Sequence, residues 1–589
     1  MAYRWNRPLR PAGLALLAGM GLALALPGGA LASEPRPADG DVISPLGNYL
    51  AGRYARALHD TPVAAEYYEN ALRMDPSNEI IMEQAFLLDA ASGKWDRAFE
   101  LARQLLKNEE TDRLAHFVLA TRAAREGSAR EAERNFDASA KGPLIWELTT
   151  RLSKAWVQQS DGRTGEAIKT LDDMKKAEWS RFFQRYHRGL IADLGGRTKL
   201  AEASFAEAFE KSPRTLRIAD AYARHLVNAG KADRAKAILK QHISQTSGHP
   251  IARDLLARIE AGEKPPLLVT TAAEGLAEVL YGIGDALADE GGTEMGTIFL
   301  QLALYLKPQF PLVFQSLGEV FDRNKKYEAA IEMYDRVPGE SPLALNAQIR
   351  KAYDLNSLDR PDESKALLDK LIAAHPSETR PIEAAGIILR ARKRYEESAG
   401  YYSRAIAMLE TPGKNDWSLF YARGVCHERM KEWPKAEADF KEAMKLNPDE
   451  PLILNYLGYS WIDQGINIKE GLELVRKAVK LKPDDGYFVD SLGWAHYKLR
   501  DYKLAVEHLE RAVELRPDDP VINDHLGDAY WHVDRKIEAE FQWSQSLTLD
   551  PEPEEAAITR EKLKAGLPVD ERKAAAQAEK SGAAPKSGN

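Results

Sequence analysis

The chain has 589 residues, 81 Lys and Arg against 89 Asp and Glu, a formal net charge of −8, and a single cysteine, Cys426. That balance argues against nucleic acid as a partner, since phosphate binding needs a basic stripe, and one cysteine leaves neither a disulfide framework nor a thiolate metal cluster. Such a length ordinarily means several globular domains, but an internal period makes that count misleading.

In chain order, Arg4, Arg7 and Arg10 precede an uncharged, Leu- and Ala-rich stretch from Pro11 to Ala32 that ends in Ala30-Leu31-Ala32. A positive region, an apolar core and a small-x-small site describe a secretory signal peptide over residues 1–32. Pro27 and two glycines break the core, which is shorter than the ~20 residues a membrane span needs. The mature chain is expected to begin near Ser33 and to be soluble in the periplasm. Ser33 is followed by Glu34, so no lipidation cysteine is present at that point.

Prolines in similar apolar contexts then fall at Pro308, Pro342 and Pro376 and at Pro448, Pro483, Pro517 and Pro551, spaced by 34 or 35 residues. Ahead of Pro517 stand Ala512, Leu509 and Ala505, and a glycine follows a bulky residue at Leu317-Gly318, Leu492-Gly493 and Leu526-Gly527. Within Val489 to Leu515 apolar residues recur at helical spacing, interrupted by a turn near Leu499, Arg500 and Asp501. Each unit therefore reads as two short antiparallel helices, with small residues where the backbones approach and a proline that stops the second helix.

The template fits with starts near Leu46, Glu79, Arg113, Leu148, Phe182 and Leu216, and again near Ala277, Pro311, Leu345, Thr379, Trp417, Pro451, Gly486 and Pro520. The fourth, sixth and ninth units are degenerate. This divides the chain into an N-terminal repeat block at 45–250, an irregular spacer at 251–276, a second block at 277–553, a capping helix at 554–565 and a disordered tail at 566–589. In the spacer, Ile251 to Ala261 reads as helix and Gly262-Glu-Lys-Pro-Pro266 breaks it.

The period and pattern resemble the tetratricopeptide repeat (TPR), a helix-turn-helix unit of about 34 residues that folds only as an array. The resemblance implies an all-α TPR solenoid, a right-handed superhelix whose inner wall is formed by the first helix of each unit. It also implies a partner-binding surface at the groove positions of the last repeats: Tyr421, Asn455, Tyr459, Asp490, Trp494, Tyr497, Asp524, Asp528 and Trp531. Tyr281, Asp285, Asp289, Glu319 and Asp322 continue the mixture of aromatics and carboxylates farther back. Such residues suit a partner with basic and apolar side chains, while Trp494 and Trp531 equally suit packing between adjacent repeats. The aspartates speak against the carboxylate clamp of chaperone-binding members of the family.

From Asp484 to Asp550 there are fifteen Asp and Glu against seven Lys and Arg, so these two repeats hold the whole net negativity. This is either a binding wall or a solvated face. No HExxH, GxSxG or phosphate loop is present. His496, His508, His525 and His532 show no ligand register and are expected at the surface, so neither an enzyme nor a cofactor is implied. The stretches Asn455-Tyr-Leu-Gly-Tyr-Ser-Trp461, Asp490-Ser-Leu-Gly-Trp494 and His525-Leu-Gly-Asp-Ala-Tyr-Trp531 resemble the C-terminal block of large exported proteobacterial TPR adaptors. Some of that group are lipoproteins that bring cell-wall hydrolases to a periplasmic C-terminal processing protease, and the chain departs from those in lacking the lipidation cysteine. The implied function is a non-catalytic envelope adaptor whose partners are a protease, a hydrolase or an assembly complex. A scaffold for outer-membrane or exopolysaccharide assembly, or an enzyme without a recognisable motif, are the alternatives.

Overall fold

A computed structural model describes residues 44–567, apart from 58–60, 109–111, 141–143, 175–180 and 247. The signal segment at 1–32 and all but two residues of the expected tail lie outside the described residues. Among those described there are thirty α-helices and no strand.

The first twelve pair as hairpins: α1 (Pro45–Ala57) with α2 (Thr61–Met74), α3 (Glu79–Ala91) with α4 (Trp95–Asn108), α5 (Arg113–Arg125) with α6 (Ala129–Ser139), α7 (Leu144–Ser160) with α8 (Thr164–Asp172), α9 (Arg181–Leu194) with α10 (Thr198–Lys211), and α11 (Leu216–Asn228) with α12 (Ala232–Thr246). After α13 (Pro250–Glu260) come α14 (Ala272–Asp289) and α15 (Thr293–Leu306), α16 (Pro311–Arg323) and α17 (Tyr327–Asp335), and α18 (Ala344–Ser357) and α19 (Pro361–Ala374). The remainder are α20 (Arg380–Ala391), α21 (Tyr395–Ala407), α22 (Trp417–Arg429), α23 (Trp433–Leu446), α24 (Pro451–Asp463), α25 (Ile468–Leu481), α26 (Gly486–Lys498), α27 (Tyr502–Leu515), α28 (Pro520–His532), α29 (Lys536–Thr548) and α30 (Pro553–Ala565). The expected repeat starts fall at or near the first residues of α1, α3, α5, α7, α9, α11, α14, α16, α18, α20, α22, α24, α26 and α28. The largest offset is at α14, which begins five residues before Ala277.

The hairpin rule is visible in α26 and α27. Asp485 caps α26 by accepting from the amide of Tyr487; such a cap satisfies an amide the first turn leaves open. The helix ends where Arg500 adopts the left-handed region at φ 64°, its amide bonding Tyr497 O at 2.8 Å while that of Asp501 bonds His496 O at 2.9 Å. These two bonds close the last turn. A methyl group built on Gly493 would lie 2.6 Å from Leu509, so the glycine sets the distance between the two helices. The same glycine-to-bulky contact, sixteen residues apart, recurs at Gly189 with Phe205, Gly318 with Tyr334 and Gly527 with Trp543.

The chain divides into two compact units, residues 1–359 and 360–589. The expected spacer at 251–276 lies inside the first unit: Pro250–Glu260 is helical, and Val269, buried, belongs to the same apolar core as the repeats around it. Within that unit, α14 packs on α7 and α9, and α15 packs on α3 and α5. Phe299 of α15 meets Phe117 of α5 at 5.2 Å and Trp146 of α7 at 5.8 Å. Gly275 sits against Trp156, where a methyl group would come within 2.2 Å of the ring. The buried Glu278 of α14 accepts from Arg217 Nε at 3.0 Å and from the Tyr186 hydroxyl at 3.2 Å. A seventh hairpin thus fills the wall lined by α3, α5, α7 and α9. In the second unit the helices pack mainly on their neighbours along the chain, hairpin on hairpin, with α24 also on α26 and α26 on α28.

Candidate functional site

The expected wall of the last repeats lies in the second unit, on α24, α26, α28 and the closing helix α30. Helical spacing places Asp490, Trp494 and Tyr497 on one face of α26, and Asp524, Asp528 and Trp531 on the corresponding face of α28. Tyr459 of α24 is half-buried, and burial together with Asp463 and Asp490 raises its phenol pKa.

Asp490 is buried and faces His525 Nδ1 at 2.9 Å. Trp494, 8% exposed, stacks on His525 with ring centroids 3.9 Å apart and on Tyr497 at 4.6 Å, and its indole donates to Asp463 at 3.3 Å. Burial opposes protonation of His525, but Asp490, with Asp524 and Asp528 beyond it, outweighs this and holds the imidazole pKa above its ordinary value. A raised histidine pKa stabilises the fold fully below the unfolded value and loses that contribution as pH rises through the folded one.

The carboxylates of α28 meet a cation from their own chain. Lys562 of α30 bonds Asp524 and donates to Asp528 Oδ2 at 2.8 Å. Thr559 donates to Asp524 Oδ1 at 2.9 Å, and the Trp543 indole donates to Asp528 Oδ1 at 2.9 Å. Burial pushes Asp528 up to about 6 against the pull of Lys562. Burial also opposes the Lys562 charge, but Asp528 and Asp524 keep its pKa above the usual value. Trp531 donates to Leu567 O at 3.0 Å and lies 3.6 Å beneath the Lys536 ammonium.

The seven expected residues are therefore brought onto one connected face, much of which is already paired or packed. Asp490, Asp524 and Asp528 are not open acceptors: an imidazole and a lysine one repeat farther along occupy them. Trp494 packs between adjacent repeats, and Trp531 packs on the end of α30. His525 and His496 are buried rather than at the surface: His525 is covered by Trp494 and Asp490 of the preceding repeat, and His496 by its own hairpin, stacking on His508 of α27 with ring centroids 5.4 Å apart. The missed residues, His525, Thr559 and Lys562, had a signal: Asp490 to His525 spans 35 residues, and Asp524 to Thr559 the same. Groups one period apart are neighbours, so complementary residues at that spacing mark contacts. Among the described residues no group of three or more His, Cys, Asp or Glu can hold a metal ion, and no helix is long and apolar enough to cross a membrane.

The tetratricopeptide repeat family models match residues 349–412, 417–450 and 490–519. These stretches are tetratricopeptide repeats. The first of the matched stretches takes in most of the ninth unit, which its sequence alone marks as degenerate. Among known proteins, the TPR repeat-containing protein PA4667 of Pseudomonas aeruginosa is 29% identical over 187 residues, 31% of this chain and 30% of that one. The BBSome complex member BBS4 of Bos taurus is 28% identical over 113 residues, 19% of this chain and 21% of that one. The alignments span under a third of either relative. Among solved structures, that of the APC/C hetero-tetramer Cut9-Hcn1 covers 84% of this chain and 97% of its own at 16% identity, with a TM-score of 0.36. That of yeast Tom70 covers 89% and 95% at 12% identity, with a TM-score of 0.34. The fold is an all-α TPR solenoid, and proteins of this kind bind other proteins.

Proposed function

We propose that the protein is an exported, non-catalytic TPR adaptor of the cell envelope that binds other proteins on the inner helices of its second unit and delivers substrates to a periplasmic protease. The observation that carries this reading is the contrast in what covers the two walls. The wall of α3, α5, α7 and α9 is filled by α14 and α15, whereas α22, α24 and α26 present the half-buried Tyr421, Tyr456, Tyr459 and Tyr497. Aromatics of this kind anchor interfaces at low entropic cost. Holding two partners on one scaffold makes their meeting intramolecular, which raises effective concentration without new chemistry. Export rests on the arginines, apolar core and small-residue site of residues 1–32.

The test is capture. The mature chain is immobilised, exposed to an envelope extract of its host, and the retained proteins are identified and titrated against Tyr459→Ala and Tyr497→Ala variants. A periplasmic protease retained together with a substrate, and bound at least tenfold more weakly by either folded variant, is the expected result. Retention of outer-membrane or polysaccharide assembly components alone would favour the scaffold reading instead, and no retention at all would overturn protein binding on this face.

A further inference from the structure

A second group of carboxylates lies in the first unit, on α14, α16 and α18, where Asp285, Asp289, Glu319, Asp322 and Asp354 outnumber the two cations near them, Arg323, which bonds Asp289, and Arg350. Asp285 of α14 accepts from the Ser316 hydroxyl of α16 at 2.6 Å, and Gln315 donates to Glu319 one turn along α16 at 3.0 Å. Asp322 of α16 faces Asp354 of α18, and its charge opposes ionisation of the Asp354 carboxyl.

The enclosed polar atoms around this pair are unusually short of partners. Asp354 is 2% exposed, and no donor reaches its Oδ2. Tyr334 of α17 is fully buried, its ring against Gly318, and its hydroxyl is unpartnered. Gln315 Oε1 and Arg350 Nε are in the same condition, so four of the thirteen such atoms among the described residues fall on three successive helices. Buried polar groups are normally paired, and leaving several unpaired in one place is the mark of a site built for something else.

The groups that face Asp354 are Asp322 from α16, Tyr334 from α17 and Arg350 from its own helix, and Tyr334 faces Glu319 as well. Those that face Asp285 are Glu319, Asp289 and Arg323. Burial, with Asp322 close by, pushes Asp354 up to about 8, and burial, with Glu319 and Asp289, pushes Asp285 up to about 7. Carboxyls in this state ionise when a cation arrives. Neighbouring helices stand ~10 Å apart, so three of them present acceptors over ~20 Å, the reach of about six extended residues.

We propose that the face of α14, α16 and α18 binds a basic peptide segment of a partner, seating one cationic side chain between Asp322 and Asp354 and a second beside Asp285 and Glu319. This rests on the reading of the protein as a protein-binding scaffold, but it uses a different unit and different residues from the Tyr459 face. A tenfold loss at one face with none at the other therefore separates the two claims.

The probe is a blocked octapeptide of alternating alanine and lysine, titrated calorimetrically into the mature protein at pH 7.5 in buffers of different ionisation heat. The matching alanine–glutamate peptide, spermidine and magnesium are titrated alongside. The expected result is binding of the basic peptide with release of close to one proton, weakened at least tenfold in Asp354→Asn with the proton release lost. In Glu319→Gln binding weakens similarly while proton release persists. Should Asp354→Asn fail to fold, the half-buried Asp322→Asn carries the same comparison. Equal affinity in parent and variants, binding without proton release, or spermidine or magnesium binding as tightly and with the same variant dependence would overturn the proposal.

Discussion

The two units follow one repeat rule and satisfy it differently. In the first, an apolar hairpin supplies what the wall of α3 to α9 lacks: Phe299 fills the space between Phe117 and Trp146, and Glu278 neutralises the buried Arg217. In the second, His525 and Lys562 meet three aspartates at the end of the array. A solenoid wall is thus a surface that demands cover, and cover comes from an insert, a closing helix or a partner. The turns differ too. Between paired helices the left-handed residue is glycine at Gly93, Gly127, Gly162, Gly196, Gly230 and Gly291, but from α16 onward it is Lys325, Asp359, Lys393, Lys431, Arg500 and Asp534, with Gly465 and Asn467 together between α24 and α25.

The contrast breaks most sharply at the insert. Phe299→Ala should cost about 3–5 kcal/mol, the usual range for a buried aromatic. Hydrogen exchange should rise in α3, α5, α7, α14 and α15 while α22 to α28 keep their protection, because stability in a repeat array is a sum of local terms.

Lys562→Met tests the closing helix. Removing one partner of a buried ion pair typically costs about 3 kcal/mol or more, and here it strands Asp524 and Asp528. Asp528 has a raised pKa, so its carboxyl favours the folded state fully below the unfolded value, and that contribution is lost as pH rises through about 6. The variant should therefore be severely weakened at pH 7.5 and much less so at pH 5, as read from denaturant midpoints followed by the fluorescence of Trp531 and Trp543.

A smaller effect is expected at the hairpin spacing. Gly493→Val places a branched side chain against Leu509 and should cost about 1–3 kcal/mol, with faster exchange limited to α24 through α29. The smallest is a gain. Arg500→Gly removes the penalty of a left-handed non-glycine residue and should add up to about 1 kcal/mol, whereas Gly196→Arg in the first unit should lose a similar amount. Both are checked by thermal midpoints.

The repeat was legible because its signals are local: Pro517 stops a helix, Gly493 admits Leu509, and Asp485 caps the next start, each within one period. The site was half legible. Helical spacing puts Asp490 and Trp494 on one face of α26 and Asp524 and Asp528 on one face of α28, but the charge between Asp484 and Asp550 leaves out Lys562 and counts His525 as neutral. The filled wall was invisible to periodicity, since no repeat pattern says which distant hairpin will cover it. One trace existed. From Met295 to Leu306 the chain carries no charged residue, so α15 has no polar outer face of the kind an exposed repeat helix keeps.

Hydrogen exchange on the protein with and without its captured partner tests the central claim, that the first wall is filled and the second is available. New protection on α20, α22, α24 and α26, with none on α3, α5, α7 and α9, is the predicted result. Protection gained on α3 to α9 together with deprotection of α14 and α15 would contradict it, for the hairpin would then be a displaceable occupant and the first wall the true binding surface.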